Sequence, residues 1–350
     1  MRPELSFDWP IIGHKKIKGF LQRGVLGNNF AHAYIFCGPA KTGKTLTART
    51  FAQTILCENY KKYLQASSFE ADKLVVPCGL CNSCKQFKSK VYADLYVVER
   101  EINEKTGKKK NALSVAQIRD LLEKISKRAF LNSYKIVLIP EAQLLNQEAS
   151  NCLLKTLEEP TPRTIIILMT PNKELLLPTI LSRCQSLKFL PVTNEEIYQY
   201  LLGRGANRSL ALELASVAEG RPTVAMKFFA EPEKFQSYKQ ENTEMLQIFN
   251  SGIVKKFKFV EKLAENNKQT DALMEKLNHL SGLSRDLLLI ANYKNELVVN
   301  PYLIEELKKI SDVYDCGKIV GFIQRIEETK KLIKENINAR FALENLIIDI

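Results

Sequence analysis

Apolar residues in the first half of the chain gather into short solid runs divided by amphipathic stretches. Residues 34–37, 95–98, 135–139 and 164–169 are almost unbroken apolar runs of strand length, the pattern of strands buried on both faces. Residues 44–57 carry Ala48, Phe51, Ala52 and Ile55 at helical spacing. Residues 114–125 do the same with Val115, Ile118, Leu121, Leu122 and Ile125, behind Ser114, an N-cap residue type. Residues 149–158 form a further helical stretch that Pro160 stops. Strands alternating with helices predict an α/β core built on a parallel sheet.

Beyond about residue 190 the pattern changes and no further strand is predicted. Residues 195–202 and 209–218 are short helical stretches set apart by Gly203 and Gly205. Longer amphipathic helices follow from about Pro232. Leu273, Leu277, Leu280 and Leu287 mark one, and Ile319, Phe322, Ile326, Ile333 and Ile337 another, stripes that read as bundle core. The predicted division is an α/β core at 1–190, a small all-α domain at 191–235 and a larger all-α domain at 236–350.

Composition narrows the function classes. In 350 residues, 45% are hydrophobic and 26% charged, the balance of an ordinary globular protein, which excludes a mainly disordered chain. Lys and Arg exceed Asp and Glu by 12, which suits a partner bearing phosphates. No apolar run is long enough to span a membrane, and the first residues have charges and prolines instead of an apolar signal core. The expectation is a cytoplasmic protein without membrane contact. In that setting eight cysteines point to metal binding or buried thiols rather than disulfides.

The first predicted strand runs into Gly38-Pro39-Ala40-Lys41-Thr42-Gly43-Lys44-Thr45, a G-x-x-x-x-G-K-[ST] loop that opens a predicted helix. Glycines let backbone N–H groups close around phosphate oxygens, and the helix N-terminus adds positive potential. Lys44 is expected on the β/γ phosphates of ATP or ADP, and the Thr45 hydroxyl on Mg²⁺. Hydrolysis also wants an acidic metal partner after a neighbouring strand. After residues 135–139 comes Pro140-Glu141, so proline stands where an aspartate belongs. Glu141 is left as a candidate for orienting a water, without its metal-holding partner. This predicts a site that binds nucleotide and cleaves it poorly.

Cys78-Gly79-Leu80-Cys81-Asn82-Ser83-Cys84 is a C-x₂-C-x₂-C loop, with Cys57 upstream at the end of the P-loop helix. Four thiolates close a tetrahedral structural Zn²⁺ site that leaves no open position for catalysis. Lys88 stands where a ferredoxin-type cluster would want its next cysteine. Cys37, Cys152 and Cys184 are isolated and read as packing residues.

Taken together, His32-Ala33-Tyr34-Ile35-Phe36, the P-loop, the four-cysteine insert, residues 149–160 and Leu177-Pro178-Thr179-Ile180-Leu181-Ser182-Arg183-Cys184 resemble bacterial clamp-loader subunits of the AAA+ class. The likeness runs over about residues 10–230, with the motifs in the family's order, and residues 336–346 look like the last collar helix of such subunits. The resemblance implies an AAA+ core, a lid and an oligomerising collar. It further implies a place in a DNA polymerase III clamp loader beside gamma/tau and delta subunits, acting on the sliding clamp and primer-template DNA. Arg183 would be an arginine finger reaching ATP on the adjacent subunit, and Thr170 would occupy the first sensor position. Within the family, Pro140 and the Thr223 of Gly220-Arg221-Pro222-Thr223, where ATP-hydrolysing tau/gamma subunits place a sensor arginine, favour the delta-prime form.

Two rival readings remain from the residues: an active ATPase motor of tau/gamma type, and a zinc-containing DNA-binding protein outside any loader. A basic cluster, Lys105, Lys108, Lys109 and Lys110, reads as a solvated hairpin tip, with contact to DNA phosphates as its alternative. His14, His32 and His279 make no cluster with acids or cysteines in sequence.

Overall fold

A computed structural model describes residues 3–65, 73–89, 91–103, 107, 109–129, 134–266, 270–335 and 337–348. Lys105 and Lys108 lie outside the described residues. Two compact units emerge, residues 1–196 with 221–223, and residues 197–220 with 224–350.

The first unit is built on β1 (Glu4–Phe7), β2 (Ala33–Cys37), β3 (Lys73–Val76), β4 (Leu95–Val97), β5 (Lys135–Ile139), β6 (Thr164–Thr170) and β7 (Gln185–Lys188). Five strands form one parallel sheet in the order β4-β5-β6-β2-β7, and β1 pairs with β3 in a separate parallel ribbon. Its helices are α1 (Lys15–Gly27), α2 (Lys44–Leu56), α3 (Glu58–Gln65), α4 (Asn82–Lys88), α5 (Val115–Ser126), α6 (Gln147–Glu158) and α7 (Pro178–Leu181).

The solid apolar runs follow from a sheet covered on both faces, where the strand period of two sends alternate side chains to opposite layers. Tyr34 and Phe36 of β2, Ile136 and Leu138 of β5, and Ile165, Ile167 and Met169 of β6 join the core on one side with Phe51 and Ile55 of α2. Ala33, Ile35 and Cys37, Val137 and Ile139, and Ile166 and Leu168 join the other, under α5 and α6. Burying each such aliphatic side chain is worth about 1.5–3 kcal/mol. Helix α5 begins where Ser114 predicts, in a capping box: Gln117 N–H donates to the Ser114 hydroxyl, and Ser114 N–H to the Gln117 side chain. Its other end is capped from β5, because the buried Lys135 ammonium donates to the carbonyls of Ile125 and Lys127.

The sequence reading misses the β1–β3 ribbon and β7. These are four-residue strands with exposed positions, and their partners lie far along the chain. The predicted stripe on the last long helix also runs one residue too far, since α15 (Cys316–Lys334) ends before Ile337, which is exposed.

The second unit is helical: α8 (Asn194–Gly203), α9 (Arg208–Ala218), α10 (Pro222–Ala230), α11 (Pro232–Leu246), α12 (Ile253–Asn266), α13 (Thr270–Ala291), α14 (Ile304–Ser311), α15 and α16 (Ala339–Ile348), with the boundary residues of α8 and α10 counted in the first unit. Leu273, Leu277, Leu280 and Leu287 of α13 meet Ile319, Phe322 and Ile326 of α15 in one core, as their spacing predicts. No helix among the described residues is long and apolar enough to cross a membrane.

Candidate functional site

The phosphate loop forms at the carboxyl end of β2, which lies between β6 and β7. Gly38 turns the chain at φ 145°, and its N–H donates to the Thr170 carbonyl at 3.1 Å. A Cβ there would lie 2.0 Å from the Phe189 carbonyl oxygen, so no other residue fits without moving the backbone. Gly43 caps α2 at φ 97°, leaving the first N–H groups of the helix facing the loop. Thr42 braces the loop by donating to the Pro39 carbonyl, and the His14 ring Nε2 lies 2.9 Å from the Thr42 carbonyl. That contact makes Nε2–H the donor; burial lowers the His14 pKa, which keeps the ring neutral. The ring also meets Phe189 edge-on at 4.7 Å. Sequence alone assigns His14 no role, because Thr42 and Phe189 are brought to it only by the fold.

Lys44 opens α2 and bends back to donate to the carbonyls of Gly38 and Pro39 at 2.5 and 2.6 Å. Burial lowers its pKa to about 8. Thr45, Pro39, Ala40 and Lys41 are exposed around it. Thr223 belongs to the same compact unit, and its N–H donates to the Lys41 carbonyl at 3.3 Å. The segment that would carry a sensor arginine therefore reaches the loop with a threonine.

The neighbouring strand ends bring the remaining candidates to the same edge of the sheet. Thr170 ends β6 opposite Cys37 and is fully buried; its hydroxyl donates to the Asn172 carbonyl at 2.8 Å. Pro140 and Glu141 follow β5, one strand further out. Glu141 accepts a hydrogen bond from the Arg100 guanidinium at 2.9 Å, in an ion pair whose arginine is mostly buried. Arg100 is the residue that sequence reasoning missed here, since it sits in an irregular segment with no motif around it.

Arg183 follows α7, a single turn with Pro178 at its start. Its guanidinium donates to the Thr179 carbonyl and the Ser182 hydroxyl, and pairs with Glu158 at 2.7 Å at the end of α6. About a third of the arginine side chain is exposed. None of these partners belongs to the chain's own phosphate loop.

A separate centre joins the end of α2 to the start of α4. The sulfurs of Cys57, Cys78, Cys81 and Cys84 lie within 4.8 Å of one another. A tetrahedral zinc site with bonds of about 2.3 Å would space its sulfurs about 3.8 Å apart, and the Cys78 and Cys84 sulfurs are 4.0 Å apart. Backbone N–H groups of Cys78, Cys81 and Cys84 point at the sulfurs of Cys57, Cys78 and Cys81, each at 3.4 Å, as donors to thiolate ligands do. The Cys84 thiol holds the Cys57 pKa down, while that bond and burial push Cys84 upward. One thiolate is thus easily formed and a second resisted, the charge problem that a bound dication removes. The four residues can hold a metal ion. Elsewhere, Cys37 is buried, and burial pushes the Cys184 thiol up to about 12, which fits packing roles.

Of the basic cluster, Lys110 pairs with Glu101, and Lys109 forms an antiparallel bridge with Ile102.

The family profile described as DNA polymerase III, delta subunit matches residues 13–193, and that described as DNA polymerase III, delta subunit, C terminal matches residues 236–350. The DNA polymerase III subunit delta' of Bacillus subtilis is 24% identical over 341 residues, 95% of this chain and 94% of that protein. The subunit tau of the same organism is 33% identical over 219 residues, 63% of this chain. The subunit delta' of Pseudomonas aeruginosa is 35% identical over 154 residues, 44% of this chain and 42% of that protein. The chain thus spans about a third of the tau subunit's length (34%) but nearly all of the Bacillus delta' subunit's.

Proposed function

The chain belongs to the DNA polymerase III delta-subunit family of clamp-loader proteins, and on that premise we propose that it is a delta-prime-like subunit that does not itself hydrolyse ATP. It works in the cytoplasm beside gamma/tau and delta subunits, in a ring that loads the sliding clamp onto primer-template DNA. Residues 1–190 form the AAA+ core, 191–235 the lid and 236–350 the collar that joins the ring.

The observation that carries this reading is the contrast at one sheet edge. An intact phosphate loop stands near a catalytic position where Pro140 offers no ligand and Arg100 ties up Glu141. The loop supports binding of ATP or ADP: backbone N–H groups from Lys41 to Thr45 surround the phosphates, Lys44 swings from two carbonyls onto them, and Thr45 is placed for Mg²⁺. Thr170 lies beside the loop as a first sensor. Turnover in this chain then lacks both the metal-holding acid and a free base. Zn²⁺ on Cys57, Cys78, Cys81 and Cys84 would act as a structural cross-link.

Arg183 supplies the chain's catalytic contribution in trans. A guanidinium entering a neighbour's site neutralises charge spreading over the γ-phosphoryl oxygens, an effect worth roughly 10³ to 10⁵ in rate. Its partners Glu158 and Thr179 support this, because they hold it outside the chain's own nucleotide loop. The intact phosphate loop is what favours the second reading, a motor subunit of tau/gamma type.

ATP turnover separates the two. The purified chain should bind nucleotide and turn it over no faster than Lys44→Ala. In a loader reconstituted with gamma/tau and delta subunits, Arg183→Ala should assemble normally and lower turnover by about a hundredfold or more. Robust hydrolysis by the isolated chain that Lys44→Ala abolishes would establish the motor reading instead.

A further inference from the structure

Helices α11 and α12 of the second unit leave an open groove of about 600 Å³ between them. Lys255, Lys258 and Lys262 line one wall, three and four residues apart on one face of α12, over about 10 Å of helix. Gln240, Thr243 and Gln247 line the other. Among the described residues the groove's only acid is Glu244, which Lys262 neutralises at 3.2 Å. Lys255 and Lys258 are exposed, and among the described residues neither has an acidic partner.

The groove shares Glu244, Phe259 and Lys262 with an adjoining recess of about 240 Å³. Met245, Leu263 and the half-buried ring of Phe259 make its apolar lining. Two ion pairs, Glu241 with Lys276 and Glu244 with Lys262, give it a rim that both donates and accepts hydrogen bonds. At that size it is below drug-sized pockets and suits a single ring system.

From these features we infer that the α11–α12 face is a binding site for single-stranded nucleic acid. Its phosphates lie along Lys255 and Lys258, and one unstacked base enters the recess against Phe259. A row of cations beside an aromatic face is what such strands require, since the backbone supplies charge and every base a π-surface. An acidic protein segment would use the lysines but has no need of an aromatic-lined recess with a two-signed rim. Duplex DNA keeps its bases stacked and cannot fill it. The site depends on neither the nucleotide loop nor Arg183.

Fluorescence anisotropy of the full chain with a labelled oligothymidylate of about 12 nucleotides tests it. The chain should bind, with affinity falling as salt rises. Lys255→Glu with Lys258→Glu should weaken binding at low salt by at least about tenfold. The same double variant should flatten the log–log salt slope by about 1.4, two phosphates at about 0.7 each. Phe259→Leu keeps apolar packing and should cost about fivefold or more with the slope unchanged, since stacking carries no counterions. Lys109→Glu with Lys110→Glu, Lys44→Ala and Arg183→Ala should all bind as the parent does. No binding by the parent chain at low salt, or a double variant that binds like it, would overturn the site. So would polyglutamate competing as well as the oligonucleotide while Phe259→Leu changes nothing, which would assign the face to an acidic protein.

Discussion

Lys44 illustrates how far a single residue's chemistry depends on its surroundings. Burial lowers its pKa to about 8, and in the free chain its ammonium donates to two carbonyls. Phosphate oxygens favour the ammonium form, so nucleotide binding above that pH must draw a proton from solution. Affinity for MgATP should therefore be flat below pH 8 and fall by up to about tenfold per unit above it, until the pKa of the bound form is reached. Titration calorimetry in buffers of different ionisation enthalpy measures this proton uptake directly. A pH-independent affinity from 7 to 9.5 would show that Lys44 does not meet the phosphates. Glu141 makes the complementary case. Restoring the missing acid by Pro140→Asp should not raise ATP turnover, because Arg100 still occupies Glu141. Adding Arg100→Gln should raise it above the parent in a steady-state phosphate-release assay. Sequence made the loss at position 140 legible. It could not reveal Arg100 or Glu158, because an ion pair between segments far apart in the chain leaves no local pattern.

At the scale of elements, legibility follows burial and length. Strands β2, β5 and β6 were readable because both their faces are covered, and α5 because Ser114 marks its start and its apolar residues recur at helical spacing. β1, β3 and β7 were not, since four residues of which one to three are exposed carry no signal above that of a loop. The cysteine cluster and its link to the end of α2 were legible from spacing, yet the helix α4 that carries Cys84 was not. Losing one ligand should therefore act locally. Cys84→Ser should lower bound zinc from one equivalent to near zero, measured by atomic emission, and increase cleavage by trypsin within residues 57–88. The central sheet should keep its hydrogen-exchange protection. Loss of protection in β2, β5 and β6 as well would mean that the metal supports the whole first unit.

For the whole molecule, the grouping of residues 197–220 with 224–350 carries a consequence for cooperativity. Two helices meet around one buried residue, Asn300. Asn300 donates from its N–H and its amide to Asp286 of α13, and its side-chain oxygen accepts from Tyr238 and Asn242 of α11 and from Tyr302. Two residues earlier, the Val298 carbonyl accepts from Ser216 of α9, and Lys239 of α11 pairs with Glu213 of α9. Asp286 is fully buried, so burial raises its pKa and the donors around it oppose that rise. Asn300→Ala would leave the aspartate short of one donor and three side chains short of an acceptor, at a cost of about 2–4 kcal/mol. Because the same segment is tied to α9, that helix should open together with α11 and α13. Native-state hydrogen exchange of Asn300→Ala should show α9, α11 and α13 losing protection by the same factor, with β2, β5 and β6 unchanged. If α9 kept its protection while α11 and α13 lost theirs, residues 191–235 and 236–350 would be separate cooperative units, the division that the sequence pattern predicts.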